Sequence, residues 1–178
     1  VLCDDSFNYL TKMCLTNMQE AAFEMIKLAK QKKCTVIVSS SDANDHFEKY
    51  LDSGADFVIL GEAEQTLKEL VTALHEKKED MMNIAGLAYR NNGAVIKTAG
   101  RPVLKDLDQL PLPAWDLVNM EAYRKMWLQH RGYFSLNMAT TRGCPFKCNW
   151  CAKPIYGNRY NSRSPQNVVA ELKLLKDK

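Results

Sequence analysis

Apolar positions in the first eighty residues fall by turns at helical and at strand spacing. Met18, Ala22, Met25, Ile26 and Ala29 recur every three or four residues and predict a helix over 16–32. Thr16-Asn17-Met18-Gln19 has the form of a capping box, whose hydroxyl and amide would satisfy two orphan backbone donors. Cys34 to Val38 is a short, β-branched run that reads as a buried strand. After the polar loop Ser39-Ser40-Ser41-Asp42, a second helix is expected from near Asp45 to Gly54, a natural residue just past a helix end. Asp56 to Leu60 is the next strand, and Gly61-Glu62 marks its exit. Leu67, Leu70, Val71 and Leu74 then form the stripe of a helix over 63–77. Strands that are apolar throughout, alternating with helices, predict an α/β fold whose parallel sheet is covered on both faces. The piece is too short for a complete doubly wound domain and looks like the C-terminal half of a Rossmann-like one.

The period changes after the charged segment Glu76–Asp80. Ile84 to Arg90 and Ala94 to Thr98 flank Asn91-Asn92-Gly93, and Asn-Gly is a strong hairpin signal. Arg101-Pro102, Leu110-Pro111 and Leu112-Pro113 punctuate an aperiodic stretch, so 99–115 reads as a linker. Asp116 is expected to cap a short helix to about Leu128, and Tyr133 to Thr141 to form a strand. Ser164-Pro165 supplies an N-cap and a first-turn proline to a helix carrying Val168, Val169, Leu172 and Leu175. The expected divisions are residues 1–77, 78–128 and 129–178.

Composition adds exclusions. Apolar residues at 46% and charged residues at 25% are an ordinary globular balance, and no apolar run approaches the 18 or so residues of a membrane helix. A net charge of +3 is too mild to imply nucleic acid. The chain opens with Val1-Leu2-Cys3, and Lys178 falls inside a helical pattern, so the sequence is read as a fragment of a longer protein. Three of the six cysteines, Cys3, Cys14 and Cys34, are scattered among apolar neighbours, as core thiols would be. The other three stand together, which suggests reduced thiols and a cytoplasmic protein.

Those three lie in Arg142-Gly143-Cys144-Pro145-Phe146-Lys147-Cys148-Asn149-Trp150-Cys151. Thiolates spaced by three and two residues on one loop can converge on a metal, and soft thiolates select iron–sulfur clusters, zinc or copper. A structural zinc wants four protein ligands, and no Cys or His follows Cys151. The positions 144, 148 and 151 also match one buried helical stripe, against which Gly143, Pro145, Lys147 and Asn149 argue. An iron–sulfur cube ordinarily takes four cysteines; held by three, it keeps one iron open. Five basic residues and no acidic one lie between Arg142 and Arg163 inclusive, a charge balance suited to an anionic cluster and ligand.

Cys144-x3-Cys148-x2-Cys151 in the loop after a strand resembles the defining motif of the radical S-adenosylmethionine (SAM) enzymes, and the aromatic Trp150 fits the same pattern. The resemblance implies that the three thiolates hold a 4Fe–4S cluster, that its open iron chelates SAM, and that Trp150 lies beside the adenine. It implies cleavage of SAM to a 5′-deoxyadenosyl radical, and residues 129–178 as the beginning of a partial (β/α) barrel. It also implies a flavodoxin- or ferredoxin-type reductant and a small-molecule or peptide substrate that the sequence does not identify.

Gly54-Ala55-Asp56, with Glu62-Ala63-Glu64 after the strand, is similar to the end of the cobalamin-binding domain found ahead of many radical enzymes. Ligands of open α/β sheets gather at the carboxyl ends of the strands, here Ser39-Ser40 and Gly61-Glu62, which the resemblance makes candidate cobalamin contacts. The family has paired glycines where Ser39-Ser40 align, and the cobalt-ligating Asp-x-His-x-x-Gly motif is absent; His46 reads as a helix-surface residue. The expected function is a cobalamin-dependent radical SAM methyltransferase. Alternatives are a cobalamin-independent radical oxidoreductase or rearrangement enzyme, a methylthiotransferase, and an iron–sulfur electron-transfer or sensing protein. The 178 residues alone are expected to be inactive.

Overall fold

The computed structural model describes residues 15–78, 80–146 and 156–176. They form two compact units, one holding the described residues up to Val103 with Tyr156 and Gly157, the other Leu104–Phe146 and Asn158–Lys176. Cys3, Cys14, Cys148, Trp150 and Cys151 lie outside the described residues.

The first unit runs α1 (Leu15–Gln31), β1 (Ile37–Ser39), α2 (Ser41–Asp45), α3 (Phe47–Asp52), β2 (Phe57–Ile59), α4 (Ala63–His75), β3 (Leu87–Asn91) and β4 (Ala94–Lys97). One sheet joins its strands in the order β1-β2-β3-β4. β1 and β2 are parallel, with Val38 opposite Val58, as their apolar runs predict. β3 then pairs antiparallel with β2, Ala88 opposite Val58, so the hairpin expected in a connector extends the sheet. Asn92 and Gly93 at its tip have φ of 48° and 82°, the two left-handed residues that a twisted two-residue hairpin turn requires.

Alternation along each strand sends side chains to opposite faces. Val38, Val58 and Ala88 pack with Ala22 and Ile26 of α1 and Tyr50 and Leu51 of α3. Ile37, Ile59, Leu87 and Tyr89 pack on the other side with Leu70 and Ala73 of α4. The parallel strands are thus buried on both faces, which is why they carry apolar residues at consecutive positions. Asp56 ties the first layer to the sheet: it accepts from the Val36 amide at 2.8 Å and from Lys30 Nζ of α1 at 2.8 Å. Gly86, at φ 77°, allows a close approach, since a Cβ there would sit 2.8 Å from the Leu60 carbonyl.

Two sequence expectations change here. The single helix from Asp45 to Gly54 is two short ones, because His46 leaves helical geometry at φ −121° and ψ 33°. Cys34 is exposed rather than a core thiol, since it precedes β1 in the connecting turn, before the buried residues begin.

In the second unit, single 3-10 turns at Leu107–Gln109 and Trp115–Leu117 interrupt the proline-rich stretch. α5 (Met120–Arg131) is capped by Asn119, whose Oδ1 accepts from the Ala122 amide at 3.1 Å; Asp116 lies in the preceding 3-10 turn instead. Residues 133–140 alternate between exposed and part-buried positions, as extended chain does, but only β5 (Thr141–Arg142) pairs, with β6 (Asn161–Ser162). α6 (Pro165–Lys176) follows, and Ser164 Oγ accepts from the Asn167 amide at 3.1 Å as the cap its sequence predicts. Among the described residues, no helix is long and apolar enough to cross a membrane.

Candidate functional site

Within the second unit the cysteine segment follows β5 directly. Register places Arg142 opposite Asn161 and Thr141 opposite Ser162, so the segment between them begins and ends on one short ladder. Gly143 follows at φ 82°, a left-handed turn that a side chain would strain, and directs the chain into Cys144, which is part-exposed. Cys144 is the one thiol of the motif inside the described residues, and among those residues no cluster of three metal-ligating side chains forms.

The ladder is fastened from its far side by Arg163. Its amide donates to the Thr140 carbonyl at 2.9 Å, and its Nη1 donates to the Ala139 carbonyl at 2.9 Å. Its Nε donates to Asn167 Oδ1 at 2.6 Å, and Nη1 also pairs with Glu171 Oε2. Glu171 is 1% exposed, and its second oxygen accepts from Trp115 Nε1 at 3.1 Å. A buried carboxylate is tolerated only when paired and hydrogen-bonded, and here both conditions are met. The charge of Arg163 is thereby balanced within the unit by Glu171. A cavity of about 440 Å³ opens against this cluster, lined among others by Pro111, Trp115, Asn137, Thr141 and Arg142.

In the first unit, parallel pairing of β1 and β2 brings the four other candidate residues to one sheet edge. Ser39 ends β1 and is buried; Ser40 is buried too, its Oγ accepting from the Ala43 amide at 2.9 Å as the N-cap of α2. Neither serine side chain is exposed at the edge. Gly61 is part-exposed at φ 85°, its amide donating to Asn44 Oδ1 at 2.9 Å, and among the described residues nothing lies within 4 Å of where a Cβ would stand. Glu62, buried, occupies the position before α4.

Sequence reading missed Asp42 beside them. Its Oδ2 accepts from Tyr50 OH at 2.7 Å and from Gln19 Nε2 at 2.7 Å, and its Oδ1 contacts His46 Nδ1 at 3.0 Å. Burial raises the Asp42 pKa, but the hydrogen bonds from Tyr50, Gln19 and His46 outweigh it and hold the carboxyl below its ordinary value. Gln19 thus serves a residue 23 positions on; the Thr16 half of the expected capping box lies outside the described side chains. The only sequence signal for this group was its content of hydrogen-bonding side chains.

No family model matches the chain. It is 33% identical over 165 residues, 90% of its length, to an uncharacterized methyltransferase of Pyrococcus horikoshii, of which it covers 35%. It is 30% identical over 129 residues to the anaerobic magnesium-protoporphyrin IX monomethyl ester cyclase of a Synechocystis species, covering 71% of this chain and 25% of the cyclase. In fold it is similar to the radical SAM methyltransferase TsrM of Kitasatospora setae, solved with cobalamin and a [4Fe-4S] cluster bound. That likeness has a TM-score of 0.62 at 20% identity, over 86% of this chain and 30% of TsrM. The chain is therefore similar in sequence to the Pyrococcus methyltransferase and the Synechocystis cyclase, and it shares the α/β fold of TsrM. It spans about a third of the length of the Pyrococcus methyltransferase.

Proposed function

We propose that the whole protein is a cobalamin-dependent radical SAM methyltransferase, in which Cys144, Cys148 and Cys151 hold a 4Fe–4S cluster and Trp150 lies beside the adenine of SAM. The observation that carries this is the three-thiol segment opening directly from β5, in a chain with the fold of an enzyme solved with cobalamin and that cluster. The donor set fits: three soft thiolates suit iron and leave one iron open, whereas a closed zinc site takes four ligands. The carboxyl edge of the first sheet fits a corrin at Gly61, where the absent side chain leaves the backbone approachable. Ser39 and Ser40 contribute shape there rather than hydroxyls.

When bound, the cluster supplies the electron that cleaves SAM to a 5′-deoxyadenosyl radical, and cobalamin supplies a methyl carrier. The chain's own residues prepare the site. Gly143 turns the backbone so that Cys144 leaves the ladder, and the β5–β6 pair holds the two ends of the segment at a fixed separation. Reductant, of flavodoxin or ferredoxin type, and substrate belong to the whole protein, and the 178 residues alone are expected to show no turnover.

A second reading is a cobalamin-independent radical enzyme for oxidative or rearrangement chemistry, which the similarity to an enzyme that closes a ring favours. Anaerobic reconstitution of the full-length protein tests both. An open-iron cluster should change its paramagnetic resonance spectrum when SAM is added, and Cys144→Ser should lose most of the bound iron. A preparation that holds only zinc overturns the cluster assignment. Uptake of a corrin, followed by absorbance, separates the methyltransferase from the second reading.

A further inference from the structure

The buried Arg163–Glu171 pair lies outside every residue assigned above to cluster, SAM or cobalamin, yet it reaches the backbone on which the cysteine segment is mounted. Arg163 is the residue immediately after β6, so it stands where the segment returns. Its side chain crosses to the Ala139 carbonyl and its amide to the Thr140 carbonyl, both on the chain entering β5. One residue thereby joins the outgoing and returning strands just beyond their two-residue ladder, a pairing too short to hold register by itself.

What fixes Arg163 is equally specific. Glu171 comes from the second turn of α6, Asn167 from the first, and both accept from the guanidinium. Trp115 donates to the remaining Glu171 oxygen from the proline-rich strap, and Asp108 of the same strap accepts from the Ser164 amide at 2.9 Å. Strap, helix and both strands converge on one ion pair. Taking two charges out of water costs several kcal/mol and seldom repays in stability what an apolar replacement would give. The pair is therefore weak evidence for stability, and what its hydrogen bonds fix is the geometry of the chain around it.

We propose that Arg163 and Glu171 are positioning residues that fix how the cysteine segment leaves and rejoins β5 and β6, and so set the affinity of the cluster's open iron for SAM. This rests on the reading of Cys144, Cys148 and Cys151 as cluster ligands. A planar guanidinium serves four acceptors here (Ala139 O, Asn167 Oδ1, Asn167 O and Glu171), which the single ammonium of lysine does not reproduce.

The test uses the full-length protein, reconstituted anaerobically, with three variants: Trp115→Phe, Arg163→Lys and the double replacement Arg163→Met with Glu171→Leu. The double variant removes both charges together and leaves none buried unpaired, so it should fold and bind iron as the wild type does. The SAM concentration giving half of the paramagnetic resonance change should rise about tenfold in Arg163→Lys and in the double variant, and about threefold in Trp115→Phe, which loses one hydrogen bond. Titrations coincident with wild type at full iron content would overturn the proposal. Loss of iron or of cooperative unfolding in all three would overturn it too, by showing that the pair merely holds the unit together. If the wild-type spectrum itself ignores SAM, the assignment of the cysteines has failed, and the positioning role falls with it for that separate reason.

Discussion

A carboxylate with 1% of its surface exposed needs a counter-charge and donors for both oxygens, and Glu171 has them in Arg163 and Trp115. Asp42 solves the same problem with neutral donors and His46, and the solution is visible in its lowered pKa. A group whose folded pKa is depressed contributes stability above its unfolded pKa of about 3.9, and that contribution drains away as pH falls through the lower folded value. Asp42→Asn should therefore be less stable than wild type above about pH 5, and the gap should narrow toward about pH 2; urea midpoints across that range measure it. Gly86 is a steric case. At φ 77°, with the Leu60 carbonyl 2.8 Å and Thr66 Oγ1 3.1 Å from a prospective Cβ, Gly86→Ala should cost about 2–3 kcal/mol of unfolding free energy. A shift in denaturant midpoint at unchanged slope is the expected signature.

Among the elements, the helices follow the sequence most closely. α1 and α4 fall within two residues of their apolar stripes, and α6 begins at its predicted proline. Helices carry their hydrogen bonds within themselves, so local pattern suffices. Strands depend on partners. The run from Tyr133 to Thr141 has the right alternation, but among the described residues it finds only β6, and only Thr141 and Arg142 pair. The hairpin was legible from Asn92-Gly93, whereas its antiparallel seat on β2 was not, because apolar alternation does not name a neighbour. Asp56 is the cheapest place to test how the first layer holds. Replacing it with Ala leaves the Val36 amide without its acceptor and frees Lys30, so about 1–3 kcal/mol should be lost by thermal or urea unfolding.

Across the whole molecule, apolar burial is divided unequally. Nearly all the buried hydrophobic residues belong to the first unit, from Ala22 and Ile26 to Leu87 and Tyr89; among the described residues of the second unit they are Leu107 and Met120. Leu117, Met126, Phe146, Tyr160 and Leu172 of that unit are exposed. Because burial of apolar area is the main favourable term in folding, residues 1–103 expressed alone should unfold in one cooperative transition. Residues 104–178 alone should show no sigmoidal transition, as followed by circular dichroism. A cooperative melt of the latter would mean that the Arg163–Glu171 cluster stabilises the unit more than its area predicts.

The amino-acid order by itself determined the α/β alternation, the hairpin turn, the N-cap of α6 and the three-thiol segment, because each is a statement about near neighbours along the chain. Tertiary structure decided what distant residues do to one another. It made the sheet mixed, exposed Cys34, buried Ser39 and Ser40, turned Gln19 toward Asp42, and paired Arg163 with Glu171. The physical reason is common to all of these. Charge, burial and strand pairing are properties of a surrounding volume, and a one-dimensional pattern records only which residues are available to fill it.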